Sequence, residues 1–278
     1  MTRTVQICPV GFEFARVIEG VKDHSCNVIY LLKSIKKIKK ADHPNKKLIE
    51  IANSFVSKLE KHFNSTEICV PIVRETNVVT LEKTIEELCK IIKEEVETYQ
   101  TKEIWINIST STKLFVSAAM YVGSFYPKII HLFYLDARHY TINLLLDEGV
   151  SKADIAEKYQ KEGISYRETN ESYKSINVPS YTMDVLKGPK KEVLTALKKM
   201  IDSSSKKMVT FINLLQELGK EAYDKKIKVR YGHHISYLKK HNWVYEKKHG
   251  TQKKYGLTEE GRILSIIHTH LKEEEDLL

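Results

Sequence analysis

The stretch Ile104–Ser124, IWINISTSTKLFVSAAMYVGS, decides the fold of this chain. It opens with a short apolar run of β-forming residues, as in a strand that is covered on both faces. A turn of four hydroxyl residues follows, and one of them should cap a helix that begins at Lys113. The residues of this helix that we expect to face inward are Leu114, Ala118, Met120 and Tyr121.

This strand–turn–helix unit is suited to binding a phosphate. The first N–H groups of a helix have no acceptor within the helix, and they favour an anion. The hydroxyls of the turn add donors, and Lys113 adds a positive charge. The alternative is a well-capped helix with a solvated lysine. The chain has neither a Walker A lysine motif nor GxGxxG, so no sequence motif points to ATP, GTP or NAD.

Further strands and helices alternate on both sides of this stretch, which predicts βαβ units and a doubly wound, Rossmann-like parallel sheet. The predicted strands are Thr4–Val10, Asn27–Leu32, Glu67–Val70, Ile104–Ile108 and Lys128–Leu135, with an edge strand at Lys174–Val178. The predicted helices are Glu13–Val21, Leu48–His62, Thr80–Tyr99 and Ser151–Tyr159.

Two loops are predicted to meet at one edge of this sheet. Gly11, Phe12 and Glu13 follow the first strand, and Ser109–Lys113 follows the fourth. In a 3-2-1-4-5 strand order these strands are neighbours at the topological switch point, where ligands of open α/β sheets bind. The two loops are therefore expected to line one crevice.

Composition excludes several classes of protein. No apolar run approaches the length of a membrane span, and the N-terminus lacks the layout of a signal peptide, so we expect a cytoplasmic protein without a membrane partner. The four cysteines form no CxxC pair, which favours reduced, buried thiols over zinc or a redox dithiol. We expect His268 and His270 to be exposed to solvent. No metal site and no cofactor are predicted.

The positive charge is concentrated in the last third of the chain. Residues 188–278 hold 19 lysines and arginines against 12 acidic residues, a net +7 of the total +9. We therefore divide the chain into a nearly neutral domain, 1–187, and a basic domain, 188–278, with Gly188-Pro189 at the boundary. Such asymmetry is typical of an attached nucleic-acid-binding module, although lysines also serve solubility.

The pattern of the basic domain predicts a winged helix-turn-helix. Helices are expected at Lys190–Ile201, Lys207–Gly219 and Val229–Asn242, followed by a hairpin of Trp243–Lys247 and Lys253–Leu257 and a last helix capped at Thr258. In such a module one helix enters the major groove of double-stranded DNA, and the wing contacts flanking phosphates.

The residues that we expect to contact DNA lie on that helix and on the wing. On the helix, Tyr231, Ile235 and Leu238 should face inward, which leaves the opposite face for base contacts. The candidate DNA-binding residues are His233, Ser236, Tyr237 and Lys240 on the helix and Lys247, Lys248, Lys253 and Lys254 on the wing. The alternative is a winged helix that serves dimerisation or protein contact.

The layout resembles that of the CRISPR-associated Rossmann-fold (CARF) regulators of archaea that carry a C-terminal winged helix. Their mark is a strand ending in [DN]-x-[ST]-x-x-x-[RK], and the run Asn107-Ile108-Ser109-Thr110-Ser111-Thr112-Lys113 matches it in full. The first strand and its turn, VQICPVGFEFARVIE, are also similar to the start of a related archaeal regulator family.

This resemblance implies a ligand and an oligomeric state. CARF domains bind cyclic oligoadenylates, the second messengers of type III CRISPR antiviral defence, across a homodimer. Carried over to this chain, the implied ligand is a cyclic oligoadenylate such as cyclic tetra-adenylate. The implied ligand-binding residues are Gly11, Phe12, Glu13, Asn107, Ser109, Thr110, Ser111, Thr112 and Lys113.

Three functions are compatible with the resemblance. The first is a ligand-responsive transcription regulator of CRISPR-Cas loci without catalysis. The second is a metal-independent ring nuclease, in which Lys113 would stabilise charge on the phosphate and Ser109 would orient the attacking 2′-hydroxyl. The third is a degenerate sensor that binds DNA constitutively, since Thr110–Thr112 replace glycines that many relatives have in this turn.

Overall fold

The decisive stretch forms a buried strand, a short turn and a helix. The computed structural model describes residues 3–11, 14–34, 45–76, 80–136, 174–179, 186–204, 207–250 and 252–271. In it the chain divides into two compact units, Met1–Met183 and Asp184–Leu278.

The first unit contains a six-stranded sheet with the strand order β3-β2-β1-β4-β5-β6 among the described residues. Its strands are β1 (Thr4–Pro9), β2 (Val28–Ser34), β3 (Val70–Thr76), β4 (Glu103–Asn107), β5 (Ile130–Asp136) and β6 (Lys174–Val178). Its helices are α1 (Phe14–Asp23), α2 (Asn45–Thr66), α3 (Leu81–Tyr99) and α4 (Lys113–Phe125).

The pairing of the strands confirms the predicted α/β class. β1 pairs in parallel with β2 on one side and with β4 on the other, and β3 and β5 continue the parallel sheet outward. β6 pairs antiparallel with β5 at the edge, as its short length and the following Pro179 predict. The predicted 3-2-1-4-5 order is thus the observed one, and β1 and β4 meet at the topological switch point.

Helices cover both faces of the sheet. On one face, α1 and α2 bury an apolar cluster against β1 and β2 that includes three of the four buried, free cysteines. On the other face lies α3, whose Glu95 accepts a hydrogen bond from Tyr30 Oη at 2.6 Å. Tyr30 points away from its strand neighbours Ile29 and Leu31, because side chains alternate between the faces of a strand.

Glu95 ties together the ends of three strands. It is fully buried and also accepts hydrogen bonds from Arg3 Nε and Nη2, at 2.7 and 2.8 Å, and from Thr101 Oγ1 at 2.7 Å. Burial raises the pKa of the Glu95 carboxyl, but these hydrogen bonds outweigh it and hold the pKa below its ordinary value. These hydrogen bonds of the Glu95 carboxylate hold the amino ends of β1 and β4 together, and thereby set the relative position of their carboxyl ends.

Several boundaries differ from the predicted ones. The predicted third strand, Glu67–Val70, is wrong, because α2 continues to Thr66 and Glu67 turns the chain with a φ of 53°. The strand therefore begins at Val70, where the apolar residues pair with β2. The predicted helix Ser151–Tyr159 lies outside the described residues.

The inward face of α4 was also predicted in part wrongly. Ala118 is fully buried, but Leu114 and Met120 are 42% and 39% exposed. The buried side of the helix instead carries Phe115, Ala119 and Val122, which are one position away from the predicted stripe. The run is apolar nearly all round, so periodicity alone gave no unique face.

The second unit contains helices around a three-stranded antiparallel sheet of order β7-β9-β8. Its elements in chain order are α5 (Pro189–Ser203), β7 (Val209–Thr210), α6 (Phe211–Glu217), α7 (Lys225–Lys240), β8 (Val244–His249), β9 (Gln252–Leu257) and α8 (Glu259–His270).

The core of the second unit follows the predicted pattern, with two corrections. Tyr231, Ile235 and Leu238 of α7 are buried, as predicted. The predicted helix Lys207–Gly219 is in fact a short strand followed by a shorter helix, because Val209 pairs with Tyr255. His268 is 5% exposed rather than solvated.

The helices of the described residues include none that is both long enough and apolar enough to span a membrane.

Candidate functional site

The loops after β1 and β4 are in direct contact. A Cβ atom added at Gly11 would lie 2.5 Å from the carbonyl oxygen of Thr110, so only glycine permits this approach without a shift of the backbone. Thr110 Oγ1 donates a hydrogen bond of 2.5 Å to the carbonyl oxygen of Pro9. The structure therefore brings the two predicted loops together, while Phe12 and Glu13 lie outside the described residues.

Asn107, at the end of β4, holds the loop from below. Its side chain is fully buried: Nδ2 donates to the Arg16 carbonyl oxygen at 3.1 Å, and Oδ1 accepts from the Ser109 N–H at 2.9 Å. Gly20 of α1 packs against it, since a Cβ there would lie 2.7 Å from Nδ2. Asn107 thus shapes the turn through both ends of its side-chain amide, and its contact with a ligand stays a prediction.

Ser109 connects the loop to two further elements. Its Oγ accepts a hydrogen bond of 2.7 Å from the Leu135 N–H of β5, and its carbonyl oxygen accepts one of 3.0 Å from Arg16 Nη1. Arg16 is only 2% exposed, and its guanidinium carbon lies 5.7 Å from the centre of the Tyr134 ring. The buried guanidinium places a positive charge directly beneath the loop.

Arg16 is a site residue that the sequence reasoning missed. The signal in the sequence was an arginine in the otherwise apolar start of α1, FARVI, where a cation needs a specific acceptor if it is buried. That acceptor is the carbonyl group of Ser109, 93 residues away, so only the fold shows the connection.

The hydroxyl groups of the turn mainly bond to the backbone around it. Ser111 Oγ donates to the Ile108 carbonyl oxygen at 2.7 Å, and Thr110 Oγ1 donates to Pro9. Thr112 is the N-cap of α4, and its Oγ1 accepts from the Phe115 N–H at 3.2 Å. The hydroxyls of Thr110 and Ser111 therefore stiffen the loop in the ligand-free chain, and their contact with a ligand stays a prediction.

Lys113 is the first residue of α4, and its side chain is exposed. It stands at the positive end of the helix dipole, above the loop that Arg16 supports. Three groups thus lie at this edge of the sheet: the backbone of Gly11, the buried cation of Arg16 and the exposed cation of Lys113. Backbone N–H groups at a helix start and nearby cations are groups that suit a phosphate.

The second unit presents an exposed face of α7. His233, Ser236 and Lys240 are exposed on it, while Tyr237 is half-buried. The ammonium group of Lys190 lies 3.6 Å from the centre of the Tyr237 ring, and the His241 ring lies 4.3 Å away. Tyr237 is therefore in contact with both Lys190 and His241.

The side chains that act on His234 of α7 are mainly basic. The pKa of His234 is lowered from its ordinary value, first because the ring is partly buried and then because the cations Arg230 and Lys190 and the ring of His233 lie nearby. Grouped basic side chains attract anions.

The hairpin β8–β9 places lysines opposite lysines. Lys247 faces Lys254, and Lys248 faces Lys253, in two consecutive cross-strand pairs. Like charges directly opposite each other destabilise a sheet unless an opposite charge lies nearby. Lys253 is already paired with Glu246 at 3.1 Å, and Lys239 shares the same carboxylate at 2.5 Å.

No metal site accompanies these surfaces in the described ranges of the chain: no three histidine, cysteine or carboxylate side chains come close enough to hold an ion.

Comparison with known proteins adds one family match. The family model described as "HFX_2341_N:-like, N-terminal" matches residues 4–140, just under half of the chain. No curated protein sequence matches this chain.

Several solved structures are similar to this chain, among them the following three. Enterococcus italicus Csm6, bound to cyclic hexa-2′-fluoro-hexa-dAMP, has a TM-score of 0.41 at 13% identity, covering 87% of this chain and 57% of Csm6. Can2 from Sulfobacillus thermosulfidooxidans, in complex with cyclic tetra-adenylate, has a TM-score of 0.33 at 18% identity, covering 48% and 32%. Protein VC1899 from Vibrio cholerae has a TM-score of 0.31 at 11% identity, covering 95% and 64%.

This chain therefore spans less than two thirds of the length of each of these proteins. Its residues 4–140, which contain the whole parallel part of the sheet and both loops of the site, are similar to the N-terminal family named above.

Proposed function

We propose that this chain is a ligand-responsive DNA-binding regulator, in which a CARF-type domain (1–187) senses a cyclic oligoadenylate and a winged helix (188–278) binds DNA. The observation that carries the proposal is the contact of Gly11 with Thr110 at the switch point, beside Lys113 and above the buried Arg16.

The ligand side of the proposal follows from charge and geometry. A phosphate seated at the start of α4 would accept hydrogen bonds from the first N–H groups of the helix and from Lys113. The close approach of Gly11 to Thr110 holds the loop after β1 against the loop that leads into α4. The choice of a cyclic oligoadenylate comes from the CARF motif in the sequence, and it is also the class of ring in the Csm6 and Can2 structures.

A ring with repeated phosphates fits two copies of the site better than one. In the proposed homodimer, each chain contributes one α4 terminus, related by a two-fold axis, so that opposite phosphates of the ring meet equivalent groups. The expected stoichiometry is one ring for two chains.

The output side of the proposal rests on the second unit. The order α5, β7, α6, α7, β8, β9 is the order of a winged helix, with α7 as the recognition helix and β8–β9 as the wing. The wing residues Lys247, Lys248 and Lys254 would contact phosphates, and His233 and Ser236 would face base edges. Tyr237 and Lys240 complete the interface, and Lys253 contributes less because Glu246 neutralises it.

Binding of the ligand and binding of DNA would be coupled through the dimer. A ring that binds one dimer geometry better than another shifts the population toward that geometry, and so changes the spacing of the two recognition helices. Regulation of CRISPR-Cas loci is the corresponding cellular role, and the cytoplasm the corresponding location.

The test compares DNA binding with and without cyclic tetra-adenylate, measured by fluorescence anisotropy on a labelled duplex. Wild type should respond to the ring, whereas Lys113→Ala should not respond but should keep its ligand-free DNA affinity. Lys22→Ala removes the same charge from the far end of α1, where Lys22 pairs with Glu19, and should behave like wild type. Equal responses in wild type and Lys113→Ala would exclude Lys113 from the sensor site.

A further inference from the structure

Val229 is an exposed aliphatic residue in a cationic surface. It is 56% exposed, and among the described residues of the second unit no other large aliphatic side chain is as accessible. Its position on α7 is well defined: the helix begins at Lys225, and the Asp224 carboxylate accepts hydrogen bonds from the N–H groups of Lys226 (2.6 Å) and Ile227 (3.2 Å). Val229 therefore lies in the second turn of a capped helix.

Val229 lies at the N-terminal end of the candidate DNA-binding stripe of α7. Counting along α7, Val229, His233, Ser236 and Lys240 follow one another at i, i+4, i+7 and i+11, which is one stripe of a helix. Lys226 precedes Val229 on the same side. The buried residues Tyr231, Ile235 and Leu238 occupy the opposite side, so Val229 does not belong to the core.

A solvent-exposed valine gains nothing from this place in the free protein. Valine is a poorer helix former than the alanine, lysine or glutamate that usually occupies exposed helical positions. Its surroundings select the partner, because the lysines of α7 and the wing attract a polyanion and repel a cationic protein surface. The major groove of DNA offers such a polyanion with one apolar group in it, the C5-methyl of thymine.

We propose that Val229 contacts the methyl group of a thymine and thereby sets a base preference of the recognition helix. This inference rests on the proposed function, since it requires α7 to enter the major groove. The inference goes beyond the proposed function because it assigns the apolar part of the base readout to one residue and one chemical group of the DNA.

The experiment uses the full chain and a duplex selected from a random library. Each thymine of the selected duplex is replaced in turn by deoxyuridine, which removes the methyl group and nothing else. Wild type should lose affinity about four-fold at the contacted thymine, the value of one buried methyl-sized group. Val229→Ala should bind the thymine and deoxyuridine duplexes equally, while Val229→Ile should keep the difference.

The outcomes separate the two proposals. If no duplex is enriched and none binds, the proposed DNA-binding function fails. If duplexes bind but no deoxyuridine position weakens wild type, or if the loss persists in Val229→Ala, DNA binding stands and the contact of Val229 with thymine is refuted. Alanine is a good helix former at this exposed position, so the variant should fold.

Discussion

Substitution of one lysine pair of the hairpin should change stability and DNA affinity in opposite directions. Lys247 and Lys254 face each other across β8 and β9, where two like charges repel. We expect the double variant Lys247→Thr, Lys254→Thr to be more stable, with a free energy of unfolding higher by up to about 1 kcal/mol. Threonine removes the repulsion and has a high strand propensity. The same variant should bind DNA more weakly, since two phosphate contacts are lost.

The size of the second effect follows from counterion release. Each phosphate contact contributes about 0.9 to the slope of log affinity against log salt, so the loss of two should flatten the slope by about 1.8. Between about 50 and about 200 mM salt, wild type should then lose about 12-fold more affinity than the variant. Anisotropy titrations at several salt concentrations measure the slope, and chemical denaturation measures the stability.

Two controls make the result interpretable. Lys198→Ala with Lys199→Ala removes the same net charge from α5, where the two lysines pair with Asp202 and Glu217, and should leave the slope unchanged. Lys253→Thr should flatten the slope less than a single substitution of Lys247 or Lys254 does, because Lys253 already forms an ion pair with Glu246. An unchanged slope in the double variant, together with a loss of stability, would show that these lysines support the fold and do not contact DNA.

Two further predictions concern the fold around the sites. Gly11→Ala should lower the free energy of unfolding by about 1–3 kcal/mol and weaken binding of the cyclic oligoadenylate, because the added Cβ would lie 2.5 Å from the Thr110 carbonyl oxygen. Chemical denaturation measures the first effect and calorimetry the second. A variant with unchanged stability and binding would contradict the contact between the loops. Burial, with a smaller contribution from Lys191, lowers the pKa of His268 from 6.5 to about 4, and its Nε2 accepts from the Leu186 N–H at 3.3 Å. Stability should therefore be complete above pH 6.5 and fall by about 3 kcal/mol as the pH drops to about 4, where the folded ring also protonates. His268→Gln should remove that part of the pH dependence of thermal unfolding, and an identical profile in the variant would refute the assignment.

The fold could be predicted from sequence where local signals were strong. Buried strands such as Ile104–Ile106 and amphipathic helices such as α3 gave the order of elements, and the rules for parallel sheets then placed β1 beside β4. The edge strand β6 was readable because a short polar–apolar run ends at Pro179.

The errors occurred where tertiary contacts decide. Val209–Thr210 is a strand only because β9 lies beside it, and nothing within the residues Lys207–Gly219 indicates that partner. Leu114 and Phe115 are equally apolar, so the burial of Phe115 depends on how α4 meets the sheet.

The same limit applied to the site. The motif Asn107–Lys113 marks a loop that lies against the loop after β1, and its side chains as ligand contacts remain predictions. The structure divides these roles: Asn107 is buried and shapes the turn, Thr110 and Ser111 bond to nearby carbonyl groups, and Lys113 is exposed. Arg16 escaped prediction because its partner is distant in sequence.

The measurement that tests the central claim most directly is a calorimetric titration of the purified chain with cyclic tetra-adenylate, followed by chromatography of the recovered ring. A sensor predicts tight binding at one ring per two chains, with the ring recovered intact. Recovery of linear fragments would instead assign the site to a ring nuclease. No binding of cyclic tetra-adenylate or of the six-membered ring would contradict the proposed sensor, and would leave the second unit as a constitutive DNA-binding module.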